Sequence, residues 1–252
     1  IIIYFDMPKK LPSIDKIGNS YLILRESELI RPDNYNLEKH NFFSKIFTWH
    51  DQLTDNKKYF KLNFSHFFPK NINKDLSKKE KLCVLISGNK SVNHPLELYS
   101  KRVEAIRWFE KKHITDFDLY GVGWEKYRFN GSKIINSLNR LPYFPQFFAK
   151  LINQTYPSYN GVVTNKREIM EKYKFSICYE NAKDIPGYIT EKIFDSFFAG
   201  CVPIYWGANN IFSHIPKGCF IDKRDFDSYE ELYKFVRNMP DEKYMNYLIN
   251  IE

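Results

Sequence analysis

The sequence has few of the features that mark fibrous, zinc-binding or membrane-spanning proteins. Its 252 residues include only 10 Gly, 12 Pro and 4 Cys. So little glycine and proline excludes a fibrous or linker-like chain, and the absence of a Cys-x-x-Cys pair argues against a zinc or redox motif. No apolar run is long enough to cross a bilayer, because the run that opens the chain ends at Asp6. We expect those first residues to form a buried strand.

The chain also lacks an initiator Met, so we expect a fragment, an excised domain or a processed product. What it has in quantity is apolar and aromatic residues, at 43% and 17%, which argues against disorder. Its net charge of +8 permits nucleic acid, acidic lipid or a phosphorylated small molecule as partner. Cys83, Cys178 and Cys201 lie in apolar strand-like runs and are expected to be buried thiols, while a pairing of Cys201 with Cys219 stays open.

The strongest change in composition lies between residues 68 and 81, a polar, turn-rich segment that we interpret as a linker. Before it, strands are predicted at 21–24, 45–49 and 59–62. After it, strands are predicted at 82–86, 117–120, 175–179 and 202–206, and helices at 96–111, 189–199, 228–237 and 241–249. This alternation predicts a parallel sheet that is covered on both faces and binds ligands beyond the carboxyl ends of its strands. The expected site segments are 87–91, 121–124, 180–192 and 207–210.

The clearest chemical pattern lies in residues 175–207, which read FSICYENAKDIPGYITEKIFDSFFAGCVPIYWG. A buried strand delivers Glu180 and Asn181 to the sheet edge, and a turn then leads to an amphipathic helix with a threonine as its N-cap. The first turn of that helix holds Glu191 and Lys192, beside free backbone N–H groups that attract anions. A Lys there opposes the helix dipole, which is understandable if a phosphate lies between them. A solvated Lys192 is the alternative.

The order of residues in this segment closely resembles the alpha-1,3-fucosyltransferases of glycosyltransferase family 10. The resemblance is carried by Glu180-Asn181, Gly187-Tyr188-Ile189-Thr190-Glu191-Lys192-Ile193 and Ala199-Gly200-Cys201-Val202-Pro203-Ile204-Tyr205-Trp206-Gly207. It extends more weakly to Ile86-Ser87-Gly88-Asn89, Lys101-Arg102, Asp118-Leu119-Tyr120-Gly121, and Tyr21-Leu22-Ile23-Leu24-Arg25-Glu26-Ser27 followed by Phe47-Thr48-Trp49. It covers most of residues 21–227.

This resemblance implies an α/β fold of the GT-B type, in which two Rossmann-like domains with parallel sheets face each other across a cleft. The acceptor-side domain would span residues 1–73 and be short or truncated. The donor-nucleotide domain would span residues 74–238, followed by a C-terminal helix at 239–252. GDP-fucose would bind to the second domain, and the reaction would invert the anomeric centre without an obligatory metal or other cofactor.

The resemblance also implies a set of site residues. Glu26 would be the general base, Arg102 and Lys192 would hold the pyrophosphate, Glu191 would face the nucleoside, and Asn181, Tyr188, Ser87 and Asn89 would contact the donor. These roles are chemically reasonable, because fixed cations stabilise a leaving diphosphate and a carboxylate can deprotonate the attacking hydroxyl. Two alternatives stay open: Arg107 could face the cleft in place of Arg102, and Glu26 could be a surface residue at a strand end.

Other patterns carry less weight. The pairs Asp116/Asp118 and Asp225/Asp227 have the Asp-x-Asp spacing of metal-dependent glycosyltransferases, but no matching fold pattern surrounds them. The six histidines are scattered, and only His94 is close in sequence to the expected donor loop. We therefore predict no metal site.

The resulting prediction is an inverting transferase that moves L-fucose from GDP-fucose to a glycan hydroxyl. Its partners would be a sugar nucleotide and a glycan acceptor, and not nucleic acid. The alternatives are another nucleotide-linked deoxysugar as donor, or a non-enzymatic module that binds glycan or nucleic acid. No membrane span is predicted, while peripheral membrane association stays open. We expect a cytoplasmic or membrane-associated protein if the source is microbial or viral, and a Golgi-lumenal one if it is eukaryotic.

Overall fold

The computed structural model describes residues 1–127, 129, 131–151 and 155–252. Within these residues the β-strands are β1 (Ile2–Phe5), β2 (Ser20–Leu24), β3 (Lys45–Thr48), β4 (Tyr59–Lys61), β5 (Lys81–Ile86), β6 (Phe117–Tyr120), β7 (Tyr173–Tyr179), β8 (Val202–Trp206) and β9 (Ile221–Asp222). The α-helices are α1 (Leu37–His40), α2 (Tyr99–Lys112), α3 (Lys133–Ser137), α4 (Phe144–Leu151), α5 (Lys166–Met170), α6 (Glu191–Phe198), α7 (Tyr229–Arg237) and α8 (Asp241–Ile251).

The strands form two separate parallel sheets. The first has the order β1-β2-β3-β4, and Leu22 in its interior pairs with Tyr4 on one side and Ile46 on the other. The second has the order β6-β5-β7-β8-β9, with Ile177 paired to Ile204. The predicted α/β architecture with two parallel sheets is confirmed. The domain boundary after residue 73 stays a prediction.

Each sheet has its own apolar core. The larger core covers the second sheet and includes Phe109 from α2, Phe175 from β7 and Tyr244 from α8. A smaller core lies against the first sheet around Leu22 and Ile46. Because α8 contributes to the larger core, the C-terminal helix packs on the second sheet.

A further apolar cluster joins the two halves of the molecule. Leu29 and Trp49 from the first half pack with Tyr99, Ala182 and Tyr188 from the second. The rings of Trp49 and Tyr188 lie with their centroids 4.7 Å apart. The cluster fixes the segment that follows β7 against the end of the first sheet.

The second sheet has a switch in strand order at β5, which has β6 on one side and β7 on the other. In open α/β sheets the crevice at such a switch, beyond the carboxyl ends of the strands, is the usual ligand site. Ser87 follows β5 and Glu180 follows β7, so both lie at the edge of this crevice.

Most of the predicted elements are confirmed, with some differences. The first strand is not buried as expected, because it is a sheet edge on which Ile3 and Phe5 are 54% and 60% exposed. The helix expected from residue 96 begins at Tyr99, and the helix expected from 189 begins at Glu191. Strand β9 and helices α1, α3, α4 and α5 were not predicted. None of the helices in the described ranges is long and apolar enough to cross a membrane.

The four cysteines are all buried and free. The expectation of buried thiols is therefore confirmed for Cys83, Cys178 and Cys201. The disulfide between Cys201 and Cys219, which the sequence left open, is not formed.

Candidate functional site

A cavity of about 470 Å³ opens at the carboxyl ends of β5 and β7, with residues of both halves on its walls. It brings together seven of the eight predicted site residues: Glu26, Ser87, Arg102, Asn181, Tyr188, Glu191 and Lys192. Of the four expected site segments, residues 207–210 do not line it. These seven residues thus line one cavity, and their individual roles stay predictions.

Glu26 reaches the cavity from the first half, directly after β2. Its carboxylate makes no hydrogen bond or ion pair with any residue that the structure describes. A free carboxylate on a cavity wall is able to accept a proton from a ligand hydroxyl. The structure therefore places Glu26 on the cavity wall, and its role as a general base stays a prediction.

Arg102 projects from α2 and is only 4% exposed. Its Nη2 donates to the Tyr179 carbonyl at 2.6 Å and to Asn181 Oδ1 at 3.1 Å, both neutral acceptors. No carboxylate of a described residue forms an ion pair with it. Burial lowers the pKa of Arg102 and the nearby charge of Glu180 partly opposes this effect, but a guanidinium stays protonated, so Arg102 offers a positive charge to an anion in the cavity. Arg107, the alternative candidate, instead pairs with Glu110 at 2.7 Å.

Lys192 is held at the start of α6 by Glu180, whose side chain is fully buried. Glu180 accepts from the backbone N–H of Thr190 at 2.8 Å and from its hydroxyl at 2.6 Å. Lys192 Nζ lies 3.3 Å from Glu180 Oε2 and donates to Thr190 Oγ1 at 2.7 Å. Lys192 thus already has a carboxylate partner, and its place in the first turn does not by itself require a phosphate. Glu180 was expected at the sheet edge, but its pairing with Lys192 was not predicted.

Tyr188 and Glu191 have different surroundings. The buried Tyr188 packs on Trp49, and its hydroxyl accepts from Asn181 Nδ2 at 3.2 Å. Burial raises the pKa of Tyr188, so the phenol is neutral at physiological pH. Partial burial raises the pKa of Glu191, but the adjacent Lys192 outweighs this effect, so the net pKa of Glu191 is lowered and its carboxylate is charged.

The loop after β5 brings Ser87 to the cavity and keeps Asn89 outside its lining. Trp124 Nε1 donates to the Ser87 carbonyl at 2.7 Å, and the Ser87 hydroxyl is buried without a hydrogen-bond partner among the described residues. Asn89 Nδ2 donates to the Gly123 carbonyl at 3.0 Å. Asn89 therefore joins the loop after β5 to the loop after β6. It lies outside the cavity in which it was expected to contact the donor.

Three further cations on the cavity walls were missed by sequence reasoning: Arg25, Lys90 and Lys166. Arg25 Nη2 lies 3.4 Å from Asp6 Oδ2, and Lys166 Nζ lies 2.9 Å from Asp195 Oδ2. The position of Arg25 beside Glu26 was an available signal. Lys166 begins α5, a five-residue helix that was not predicted.

Asp116 and Asp118, whose spacing resembles that of a metal-binding pair, interact with other side chains. Asp118 forms an ion pair with Lys81 at 2.7 Å, and Asp116 accepts from the Tyr233 hydroxyl at 2.6 Å. His94 does not line the cavity. Over the part of the chain that the structure describes, no group of three or more His, Cys, Asp or Glu side chains could hold a metal ion.

Comparison with solved structures identifies the fold. An alpha1,3-fucosyltransferase crystallised with GDP superposes with a TM-score of 0.58 at 15% identity, covering 98% of this chain and 68% of that chain. The Anabaena HepE protein in complex with UDP-glucose gives a TM-score of 0.53 at 11% identity, covering 92% of this chain and 66% of that one. Likeness at such low identity shows the fold alone, which is GT-B as expected from the sequence.

Sequence relatives are fucosyltransferases. An alpha-(1,3)-fucosyltransferase of Helicobacter pylori is 36% identical over 75 residues, which are 30% of this chain and 16% of that protein. An alpha-(1,4)-fucosyltransferase of Arabidopsis thaliana is 38% identical over 73 residues, which are 29% of this chain and 18% of that protein. The matched segments therefore span less than a fifth of either relative.

A much longer match comes from a family model. The model described as glycosyltransferase family 10 (fucosyltransferase), C-terminal part, matches residues 76–249. These residues include α2 with Arg102, strand β7, and α6 with Lys192. The chain belongs to glycosyltransferase family 10, the fucosyltransferase family.

Proposed function

We propose that the chain transfers L-fucose from GDP-fucose to a hydroxyl of a glycan acceptor, with inversion at the anomeric carbon and without an obligatory metal. Family membership supports fucosyl transfer. The observation that carries the donor assignment is the buried guanidinium of Arg102, which lies on the cavity wall without a carboxylate partner among the described residues. The pyrophosphate of a nucleotide sugar supplies the missing negative charge in a form that suits arginine.

On the donor side, Arg102 and Lys192 act on the leaving group. Negative charge grows on the diphosphate as its bond to the sugar breaks, and cations that are already in place stabilise that charge without reorganising. Arg102 is fixed by Tyr179 and Asn181, and Lys192 is fixed by Glu180.

The other lining residues complete the donor pocket. Glu191 faces the nucleoside part, and Asn181, Tyr188 and Ser87 line the pocket. Asn89 contributes by holding the loop that carries Ser87, through its bond to Gly123.

On the acceptor side, Glu26 removes the proton from the attacking hydroxyl. Arg102 and Lys192 come from the second half of the molecule and Glu26 comes from the first, so the base and the leaving group would occupy walls built by different halves. A single displacement from the face opposite the leaving group inverts the anomeric centre and needs only one carboxylate. The uncompensated charge of the buried Arg102, with Lys192 beside it, supplies the electrostatic stabilisation of the diphosphate, so the proposed reaction does not depend on a divalent ion.

A thermal-shift panel tests the donor. GDP and GDP-fucose at about 100 times their Kd should stabilise the protein by about 2.7 kcal/mol, a rise in Tm of several degrees. UDP, UDP-glucose and CMP serve as controls, and EDTA should change neither the shift nor the rate of transfer. A shift with a non-guanine nucleotide and none with GDP would contradict the donor assignment. A loss of transfer in EDTA that Mg²⁺ restores would contradict metal independence.

Replacement of the base tests the mechanism. Glu26→Gln should reduce fucosyl transfer by about 100-fold or more, because general-base catalysis contributes that much, and should leave GDP affinity within about twofold. Glu28→Gln is the matched control, since Glu28 is an exposed carboxylate two residues away that does not line the cavity. Transfer by Glu26→Gln at the wild-type rate would exclude Glu26 as the base.

A further inference from the structure

All four polar groups of the peptide backbone at Arg25 and Glu26 form hydrogen bonds with side chains. The N–H groups of Arg25 and Glu26 donate to Asp6 Oδ1 at 2.8 and 3.0 Å. The Arg25 carbonyl accepts from Trp49 Nε1 at 2.9 Å, and the Glu26 carbonyl accepts from Asn34 Nδ2 at 3.1 Å. Backbone that leaves the end of a strand is usually solvated or paired with other backbone, so four hydrogen bonds from three side chains to two residues are a dedicated support.

Asp6 is the centre of this support. It follows β1, is 3% exposed, and adopts a left-handed φ of 59°, which is uncommon for a residue other than glycine. Its Oδ1 also accepts from Asn34 Nδ2 at 2.8 Å, while Asn34 Oδ1 accepts from the Met7 N–H at 2.7 Å. Asn34 itself is fully buried. A strained backbone conformation that persists in a fully bonded environment indicates that the surroundings require it.

The supporting hydrogen bonds reach the main chain of Glu26 but not its carboxylate. The main chain of Glu26 is fixed by Asp6 and Asn34, whereas its carboxylate, on the cavity wall, makes no hydrogen bond or ion pair within the described part of the chain. A base without side-chain partners has only its backbone to define its position. Displacing a reacting group by about 1 Å can reduce a rate by about 100-fold.

We propose that Asp6 is a positioning residue for Glu26: its carboxylate fixes the backbone from which the base enters the cavity. This inference rests on the proposed function, because it gives Glu26 the role of the base. Asp6 itself does not line the cavity, so it touches neither donor nor acceptor.

Two substitutions at Asp6 test the proposal. Asp6→Ala removes the acceptor of both N–H groups and should lower kcat about 10- to 100-fold, with KM for GDP-fucose and Kd for GDP within about twofold. Asp6→Asn keeps an oxygen at the position of Oδ1 and should retain kcat within about threefold. In a Glu26→Gln background Asp6→Ala should cause no further loss, since the group that it positions is already inactive.

A matched control separates positioning from general stability. Asp55 is a carboxylate in the same half whose Oδ1 likewise accepts backbone N–H groups, from Lys57 at 2.8 Å and Lys58 at 2.9 Å, and it does not line the cavity. Asp55→Ala should leave kcat unchanged. If Asp6→Ala does not fold, Asn34→Ala takes its place, because it removes the bond to the Glu26 carbonyl and should also lower kcat at constant KM.

Amide hydrogen exchange measures the support independently of activity. Exchange at Arg25 and Glu26 should be at least about tenfold faster in Asp6→Ala than in the wild type, and unchanged in Asp55→Ala. Unchanged exchange, an unaltered kcat, or equal losses with and without Glu26→Gln would each overturn the positioning role. A wild-type protein that transfers no fucose would overturn the proposed function instead, and the exchange rates would still decide whether Asp6 holds this backbone.

Discussion

At the scale of single residues, the charges of the two cations in the proposed donor site are balanced differently. Lys192 lies 3.3 Å from the buried Glu180, so their charges largely cancel before any ligand binds. Arg102 is bonded to neutral oxygens, and no described residue supplies it with a carboxylate partner. The substitution of either residue should therefore affect both ligand binding and folding. Loss of Arg102 removes buried hydrogen bonds to Tyr179 and Asn181. Loss of Lys192 instead leaves the buried carboxylate of Glu180 without its counter-charge.

Lys192→Ala should weaken GDP binding and also lower the free energy of unfolding by about 2 kcal/mol, because it leaves the carboxylate of Glu180 buried without a counter-charge. Adding Glu180→Gln should restore most of the stability, since an amide oxygen can still accept from Thr190, but not the affinity for GDP. Urea unfolding and calorimetric titration with GDP measure the two effects. Lys166→Ala is the control, since Lys166 lines the cavity but has a partly exposed ion pair and should alter stability little. Unchanged GDP affinity in Lys192→Ala would refute its contact with phosphate.

At the scale of elements, the chain just after α6 adopts a conformation that only glycine can accommodate. Gly200 has a φ of +58°, and a Cβ there would lie 1.9 Å from the carbonyl oxygen of Asn73 in the connection between the two sheets. Gly200→Ala should therefore lower the free energy of unfolding by about 2 to 3 kcal/mol, from both backbone strain and displacement of Asn73. Gly18→Ala is the control, because nothing lies within 4 Å of its Cβ position and its φ is not positive. Equal Tm values for the two variants would contradict this argument.

The length and hydrophobic periodicity of each element decide how much of the fold and site could be predicted from the sequence. Strands β5, β7 and β8 are buried on both faces and read as continuous apolar runs, and α6 has a clear apolar stripe, so periodicity identified them. Strand β9 has two residues and α3 and α5 have five each, which is too short for any period to emerge. The site residues after β5 and β7 could be predicted because ligands bind beyond the carboxyl ends of parallel strands. The hydrogen bond between Asp6 and the backbone of Glu26 could not be predicted, because it joins residues 20 apart in the sequence at the ends of two strands.

At the scale of the whole molecule, the two halves meet through a polar contact as well as the apolar cluster around Trp49. Asp51, which follows β3, accepts from Asn210 Nδ2 at 2.7 Å, lies 2.8 Å from His214 Nε2 and forms an ion pair with Lys61. Asn210 Oδ1 in turn accepts from the backbone N–H of Gly187 at 2.9 Å. Asp51 thus connects the first half to the turn that leads into Thr190, Glu191 and Lys192 on the cavity wall.

This contact should make stability depend on pH in a defined range. Partial burial raises the pKa of Asp51, but the hydrogen bonds from Lys61, Asn210 and His214 outweigh it and lower the pKa to about 2. Because the folded-state pKa lies below the unfolded value of about 3.8, the stabilisation is fully present above about pH 5 and is lost as the pH falls towards 2.

Asp51→Asn should therefore be less stable than the wild type by about 1 to 2 kcal/mol at pH 7, and this difference should shrink steadily between pH 5 and pH 2. Urea unfolding followed by circular dichroism at pH 7, 5, 4 and 3 measures the free energy of unfolding of both proteins. Glu38→Gln, which alters an exposed carboxylate on α1, should give the same small difference at every pH. A deficit of Asp51→Asn that stayed constant down to pH 3 would show that the charge of Asp51 does not hold the two halves together.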